Sequence, residues 1–292
     1  MAESLDASMS RLRLRRALRE ARIAKGLSQK DVAAAQDWSV SKLLRIEAGA
    51  VGVSTTDLRA LLGMYDVRDA EDVDRLTKWA QVARRTPSSV YRDVLNATFS
   101  TYLNYEKSAA VIRHWEPQVV PGLLQTESYA RGIIEIFAPP GTLGDVVERQ
   151  IEARLVRQEI FRKPGAPEAH FIVDESALRR PVGTRDTMVA QLEYLSELNE
   201  RPGISIQVLP FGTGVHRTIR MPFVILGFED PDVDDLLFVE SPRTIVLDND
   251  EGEELGSYLA SFWELENLAP PSSETGALLA RVISENIAGR AG

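Results

Sequence analysis

The chain of 292 residues contains no cysteine. Disulfides, thiolate nucleophiles and cysteine-ligated zinc or iron–sulfur centres are therefore excluded. Histidine is nearly absent as well: His114, His170 and His216 are the only three, scattered along the chain, and no pair has the i, i+4 spacing of a metal-binding helix. There is no apolar run of about 18 residues to cross a bilayer. The opening MAESLDASMSRLRLRR lacks the apolar core of a secretory signal. These absences predict a soluble cytoplasmic protein without a membrane role. No Gly-x-Ser-x-Gly elbow and no phosphate-cradling glycine loop occurs, so the expectation is a protein that is not an enzyme, with no catalytic residue, no cofactor and no metal.

What is present is an ordinary globular composition, 44% hydrophobic and 26% charged. A length of this order suggests two domains. The net charge of −9 speaks against nucleic acid until it is divided along the chain. Residues 1–86 hold 16 Lys/Arg against 12 Asp/Glu, whereas residues 87–292 hold 18 against 31. Within residues 11–45, ten basic residues face only Glu20, Asp31 and Asp37. A locally basic module in an acidic chain is the distribution expected where one part approaches phosphates and the rest stays off them.

That basic stretch reads as short helices with tight joints. Leu12, Ala17, Leu18 and Ala21 lie near helical spacing, and Gly26 stands where a helix would end. Ser28 with Asp31 is a shortened capping box that opens a helix over about Gln29–Gln36. Ser39 caps the next, about Val40–Ala48, given an apolar face by Leu43, Leu44 and Ile46 and stopped by Gly49. Ser54 caps a fourth, and Val73, Leu76, Trp79, Ala80 and Ala83 mark a fifth. Two helices of about eight residues joined by about three form a helix-turn-helix, whose second helix enters the major groove of double-stranded DNA.

The stretch SQKDVAAAQDWSVSKLLRIEAG, Ser28–Gly49, resembles the Xre-type, repressor-like helix-turn-helix family in length and in its key positions, from Ser28-Gln29 through Ala33 to Arg45-Ile46-Glu47-x-Gly49. It departs from the family at Gln36, where Leu is usual, and at Asp37, where Gly is usual. The joint there calls for positive φ, which Asp visits at modest cost, so the turn is expected to survive. Residues at the start of a recognition helix point at base edges. Val40, Ser41 and Lys42 are thus the candidate readers, Val40 suited to a thymine methyl and Lys42 to guanine or a phosphate. Gln29, Lys30 and Ser39, at or beside helix N-termini, are expected on the phosphate backbone. Arg45, one turn on from Ser41, reaches for a phosphate or a base. A solvated helix face is the competing reading of Lys42 and Arg45 taken alone; the 22-residue pattern favours DNA. For Glu47 the resemblance implies a structural carboxylate inside the bundle.

The expected domains are 10–86, a five-helix DNA-binding bundle; 87–101, a linker suggested by Thr86-Pro87 and Ser88-Ser89; and 102–292, a mixed α/β domain. In the last, an extended piece near Ala110–Trp115 precedes an amphipathic helix around 143–163, whose Arg149, Arg154, Arg157 and Arg162 read as a solvated face. The runs AHFIVD, SIQVLPF, PFVILGF, LLFVES and TIVLD read as strands, parallel around 168–209 and antiparallel across 222–248. Gly212–Gly214 reads as a hairpin turn, and the acidic run Glu229–Asp235, which lacks a calcium loop's spacing, as solvated loop.

VPGLLQTESYARGII, with ARLVRQ, IQVLPFGTG and PFVILGF, is similar to the actinobacterial WhiJ-like group of Xre regulators, over about residues 10–285. The resemblance implies a regulator, described as antitoxin-like and often encoded beside a small partner protein. It extends distantly to phospholipase-D-like domains, with dimerisation in place of catalysis: that chemistry needs His-x-Lys, and His216 is followed by Arg217 and Thr218. The expected function is a transcriptional repressor, nucleoid-associated and homodimeric through residues 102–292, whose input is the small partner protein. Two alternatives stand beside it. One is an antitoxin-like interaction module; the other is a sensor holding a small molecule near Trp115, Phe211 and Trp263.

Overall fold

The computed structural model describes residues 6–47, 49, 51–84, 90–91, 93–218, 221–240, 245–248 and 253–288. The joint at Pro87–Ser89, the helix end at Ala48 and the helix start at Glu251 lie outside the described residues. The chain forms two compact units, residues 1–89 with 228–235, and residues 90–227 with 236–292.

The first unit holds five helices, α1 (Ala7–Ala24), α2 (Gln29–Ala35), α3 (Val40–Glu47), α4 (Thr55–Met64) and α5 (Ala70–Ala83). Each begins where a short polar side chain accepts an amide of the first turn: Asp6, Ser28, Ser39, Ser54 and Asp69. Leu14, Leu18, Val32, Leu43, Ile46, Leu58, Leu61 and Leu76 meet in one apolar core. Burying each such side chain stabilises the unit by about 1.5–3 kcal/mol before chain entropy is counted.

Three of these helices share one exit. After α1 the amides of Gly26 and Leu27 donate to the carbonyls of Ile23 and Arg22. After α2, Asp37 and Trp38 donate to Ala34 and Ala33; after α4, Asp66 and Val67 donate to Gly63 and Leu62. Each exit passes through one left-handed residue, Gly26 (φ 65°), Asp37 (φ 55°) or Asp66 (φ 59°). This is the Schellman arrangement, closed twice by aspartate where glycine is the usual residue.

The acidic run is not a solvated loop. Within the first unit Asp230 pairs with Arg13 at 2.5 Å, the Pro231 carbonyl accepts from Arg16, and Asp234 lies 3.4 Å from Arg16. The arginines come from α1, distant in sequence, so the one-dimensional pattern of like charges gave no sign of them.

The second unit opens inside the segment expected as linker. Its α6 spans Ala97–Glu106, started by an Asn96 cap on the Phe99 amide. The remaining elements are β1 (Val111–Glu116), α7 (Glu127–Phe137), α8 (Gly144–Arg157), β2 (Glu168–Asp174), α9 (Glu175–Arg179), α10 (Arg185–Asn199), β3 (Ile204–Leu209), β4 (Phe223–Gly227), β5 (Leu236–Glu240), β6 (Ile245–Asp248), α11 (Glu253–Leu268) and α12 (Ser272–Ala288). The sheet runs β3-β2-β1-β4-β5-β6. Strands β2 and β3 are parallel and β4, β5 and β6 antiparallel in turn, as the strand pattern predicts, and the extended piece β1 adds a third parallel strand beside β2. On one face Trp115, Ile172, Phe223, Ile225 and Leu237 pack against Phe262 and Leu265 of α11. Elsewhere Tyr102 of α6 stacks on Phe238, centroids 4.1 Å apart.

Two expectations for this unit fail. Gly212–Gly214 is not a hairpin turn, because β3 lies at a sheet edge and β4 beside β1; the segment crosses between strands that do not pair. Of the four arginines expected as a solvated face, Arg162, beyond α8, is exposed, but the three on α8 are not such a face. Arg157, its side chain 10% exposed, grips Glu106 through two nitrogens, Arg154 donates to Gln125, and Arg149 pairs with Asp93. A periodicity argument sees α8 alone and misses the carboxylate that α6 brings against it.

Candidate nucleic-acid interface

Helices α2 and α3 are joined by Gln36, Asp37, Trp38 and Ser39. Asp37 takes the left-handed conformation, and the Trp38 amide donates 2.8 Å to Ala33, which turns the chain sharply enough for Ser39 to cap α3. The capping box at the front of α2 is complete, Ser28 and Asp31 each serving the other's amide. The two hydrogen bonds from Ser28 hold the Asp31 carboxyl below its ordinary range.

The two helices are locked together from behind. Arg22 of α1 grips Glu47 at 2.6 and 3.0 Å, and Gln29 donates to the same carboxylate at 2.8 Å. Arg22 also donates to the Leu27 carbonyl. Both partners of the ion pair are largely buried, so this is a network in which each charge depends on the other. Burial, and then the Glu47 carboxylate, push the Tyr65 hydroxyl above its ordinary value. Glu47 is thus structural, as the family pattern implies. Gln29, read as a phosphate contact, has its amide nitrogen committed to Glu47.

The outward face of α3 divides sharply. Leu43, Ile46 and Glu47 are buried, while Val40, Ser41, Leu44 and Arg45 are exposed. Leu44 was expected in the core; it sits one residue beyond Leu43, about 100° around the helix, and the core lies on the other side. Lys30 and Arg45 are exposed, and among the described residues neither holds an ion pair. Ser39 keeps its hydroxyl on the Lys42 amide.

Lys42 is held aside. Its ammonium lies 3.7 Å from the centroid of the Trp38 ring and 3.0 Å from Asp57 in the first turn of α4. A part-exposed ion pair contributes roughly 0–1 kcal/mol and an exposed cation–π contact about 0.5–1 kcal/mol. Their sum is comparable to the ~1–3 kcal/mol of one base contact, so turning Lys42 toward a base would yield little net gain. Among the described residues Arg45 has no such partner to give up. Sequence reasoning did not single out Trp38 and Asp57. The i, i+4 and loop spacings that flag cations do not reveal a partner 15 residues away.

A helix-turn-helix domain model matches residues 13–76. A second model, described as a domain of unknown function (DUF5753), matches residues 99–281. The chain belongs to the DUF5753 family. No curated protein and no solved structure matches it. In this DUF5753 protein the matched N-terminal segment runs from within α1 to within α5 and takes in α2, α3 and α4 whole, which makes the first unit a helix-turn-helix domain of DNA-binding regulator type.

Among the described residues no three His, Asp or Glu side chains gather as a metal site, and no helix is long and apolar enough to cross a membrane. His216 shares a hydrogen bond of 2.8 Å with Thr218 and meets the edge of Trp115. Trp115 is sealed in the core while Phe211 and Trp263 stand exposed.

Proposed function

We propose that this protein is a sequence-specific transcriptional regulator, a repressor of its own promoter, working in the cytoplasm on the nucleoid and performing no catalysis. The observation that carries the reading is the exposed row Val40, Ser41 and Arg45 on a helix fixed from behind by Arg22 and Glu47 and in front by the Asp37 turn. A rigid helix with an unoccupied cation on its outer side is what base-edge contact requires. Lys30 supplies a second positive charge for the backbone.

The reading includes a homodimer through the second unit, since two copies would place two recognition helices about 34 Å or a multiple apart on a palindromic site. Ile136, Phe137 and Leu143 at the turn between α7 and α8 are 66%, 75% and 67% exposed. Residues 136–143 carry no charge. In a region bearing a surplus of 13 negative charges, residues 87–292, two identical copies meet with least repulsion over such a tip. A small partner protein acting on this unit, in the WhiJ-like and antitoxin-like manner, rests on the resemblance of VPGLLQTESYARGII and its companion segments.

Gel shifts and footprinting on the DNA upstream of the protein's own gene, at stated salt, test the reading. A protected site with two half-sites supports it. Binding that is equal on all sequences and vanishes at moderate salt would reduce the protein to a non-specific binder. Phe137→Asp should convert the dimer to monomer by light scattering and weaken the footprint; an unchanged mass would remove this tip from the dimer interface.

A further inference from the structure

We propose that Val40 and Leu44 form an apolar reading ridge that selects thymine 5-methyl groups in the major groove, making Leu44 a specificity-determining residue. The inference rests on the DNA-binding reading above and names the chemistry that the site prefers. Val40 and Leu44 are each 37% exposed, and they stand at i and i+4, so both side chains lie on one side of α3. They are separated by ~6 Å along the helix axis, which spans about two steps of a duplex rising 3.4 Å per base pair. The only major-groove feature that rewards an aliphatic surface is the thymine methyl.

The polar alternatives on the same face are limited. Lys42, the residue best suited to guanine at the front of the helix, is turned to Trp38 and Asp57. Ser41 contributes a hydroxyl that bonds to any base and discriminates little. Arg45 lies beside Leu44 and adds a guanine or phosphate contact next to the ridge. The apolar pair therefore carries the discrimination at its own positions, and the preferred half-site has thymines within about two steps of one another, flanked by the base or phosphate that Arg45 takes.

The test uses the full-length chain. Selection from a randomised duplex library gives the enriched half-site, and each thymine in it is then replaced singly by uracil, which removes only the methyl. One or two of these replacements should weaken binding about fourfold each by fluorescence anisotropy, the fold-change for burying one methyl at ~0.8 kcal/mol. In Leu44→Ala, an exposed-site variant whose folding is checked by its melting curve, the thymine–uracil difference should vanish at one position and persist at the other. Enriched sites whose uracil forms bind as tightly as the thymine forms would overturn the ridge and leave the DNA-binding reading intact, as would full discrimination in Leu44→Ala. Absence of any enriched sequence would overturn both. The uracil comparison needs no variant protein, so a folding failure of Leu44→Ala does not blunt it.

Discussion

The Lys42 ammonium lies over the indole of Trp38 at 3.7 Å and within 3.0 Å of Asp57, so the side chain best placed by sequence to read a base is bound by its own domain. Trp38 can serve because it follows the left-handed Asp37: the Schellman exit of α2 turns its ring onto the bundle, where it packs against the core beside α3. The turn residue thus sets Trp38 where its ring meets the Lys42 ammonium.

Asp57→Asn removes a carboxylate beside the interface and half the hold on Lys42. Lys42 should then reach a phosphate. In salt titrations of DNA affinity the slope of log K against log salt should steepen by about one, the yield of one further phosphate contact. An unchanged slope would mean that Lys42 is not being withheld.

Asp37 should discriminate among replacements by backbone alone. A left-handed residue other than glycine costs roughly 1–2 kcal/mol, offset in part by glycine's greater freedom in the unfolded chain. Asp37→Gly should therefore raise stability by up to about 1 kcal/mol. Asp37→Val, β-branched at φ 55°, should lower it by at least that much. Urea melts of the two variants check this. Equal midpoints would show that the turn is not held in the left-handed conformation in solution.

Glu47→Gln leaves Arg22 largely buried without its counter-charge. The loss should be about 3–5 kcal/mol, sufficient to unfold much of the first unit. Tyr65→Phe should behave in the opposite way: among the described residues the buried Tyr65 hydroxyl has no hydrogen-bond partner, so removing it should stabilise by about 1 kcal/mol. Far-ultraviolet dichroism followed through urea separates these outcomes. A Glu47→Gln protein as stable as wild type would contradict the geometry.

Acid should loosen the front of α2. The Ser28 hydrogen bonds depress the Asp31 carboxyl, so its contribution is fully present above the ordinary aspartate value of about 3.8 and is lost as pH falls through the lowered one. Asp66 is depressed likewise by Lys25, with Arg68 adding to it. Melting temperature should drop on acidification from pH 5 to pH 2, and by less in Asp31→Asn. Parallel acid profiles for the two proteins would remove the capping box from the account.

Local signals carried far in this chain because they are self-contained. Ser28, Ser39 and Ser54 each cap a helix within three residues, and positive φ at Asp37 follows from the spacing of the two helices it joins. The parallel β2–β3 pair and the antiparallel strands from β4 to β6 were likewise legible from the short apolar runs, whereas the place of β1 beside β2 was not. Legibility ended where partners are remote. Leu43 and Leu44 are alike in sequence, yet the bundle covers one and leaves the other to solvent. Arg157 looked like surface until α6 set Glu106 against it, and Asp230 looked like loop until α1 supplied Arg13.

The sequence by itself determined the helices, their caps, the basic N-terminal module and the strand set, because propensity, capping and hydrophobic period act over a few residues. Only the tertiary structure decided which cations are free. An ion pair depends on distance in space, and Trp38, Asp57, Glu47 and Glu106 reach their partners only after the chain has folded back on itself.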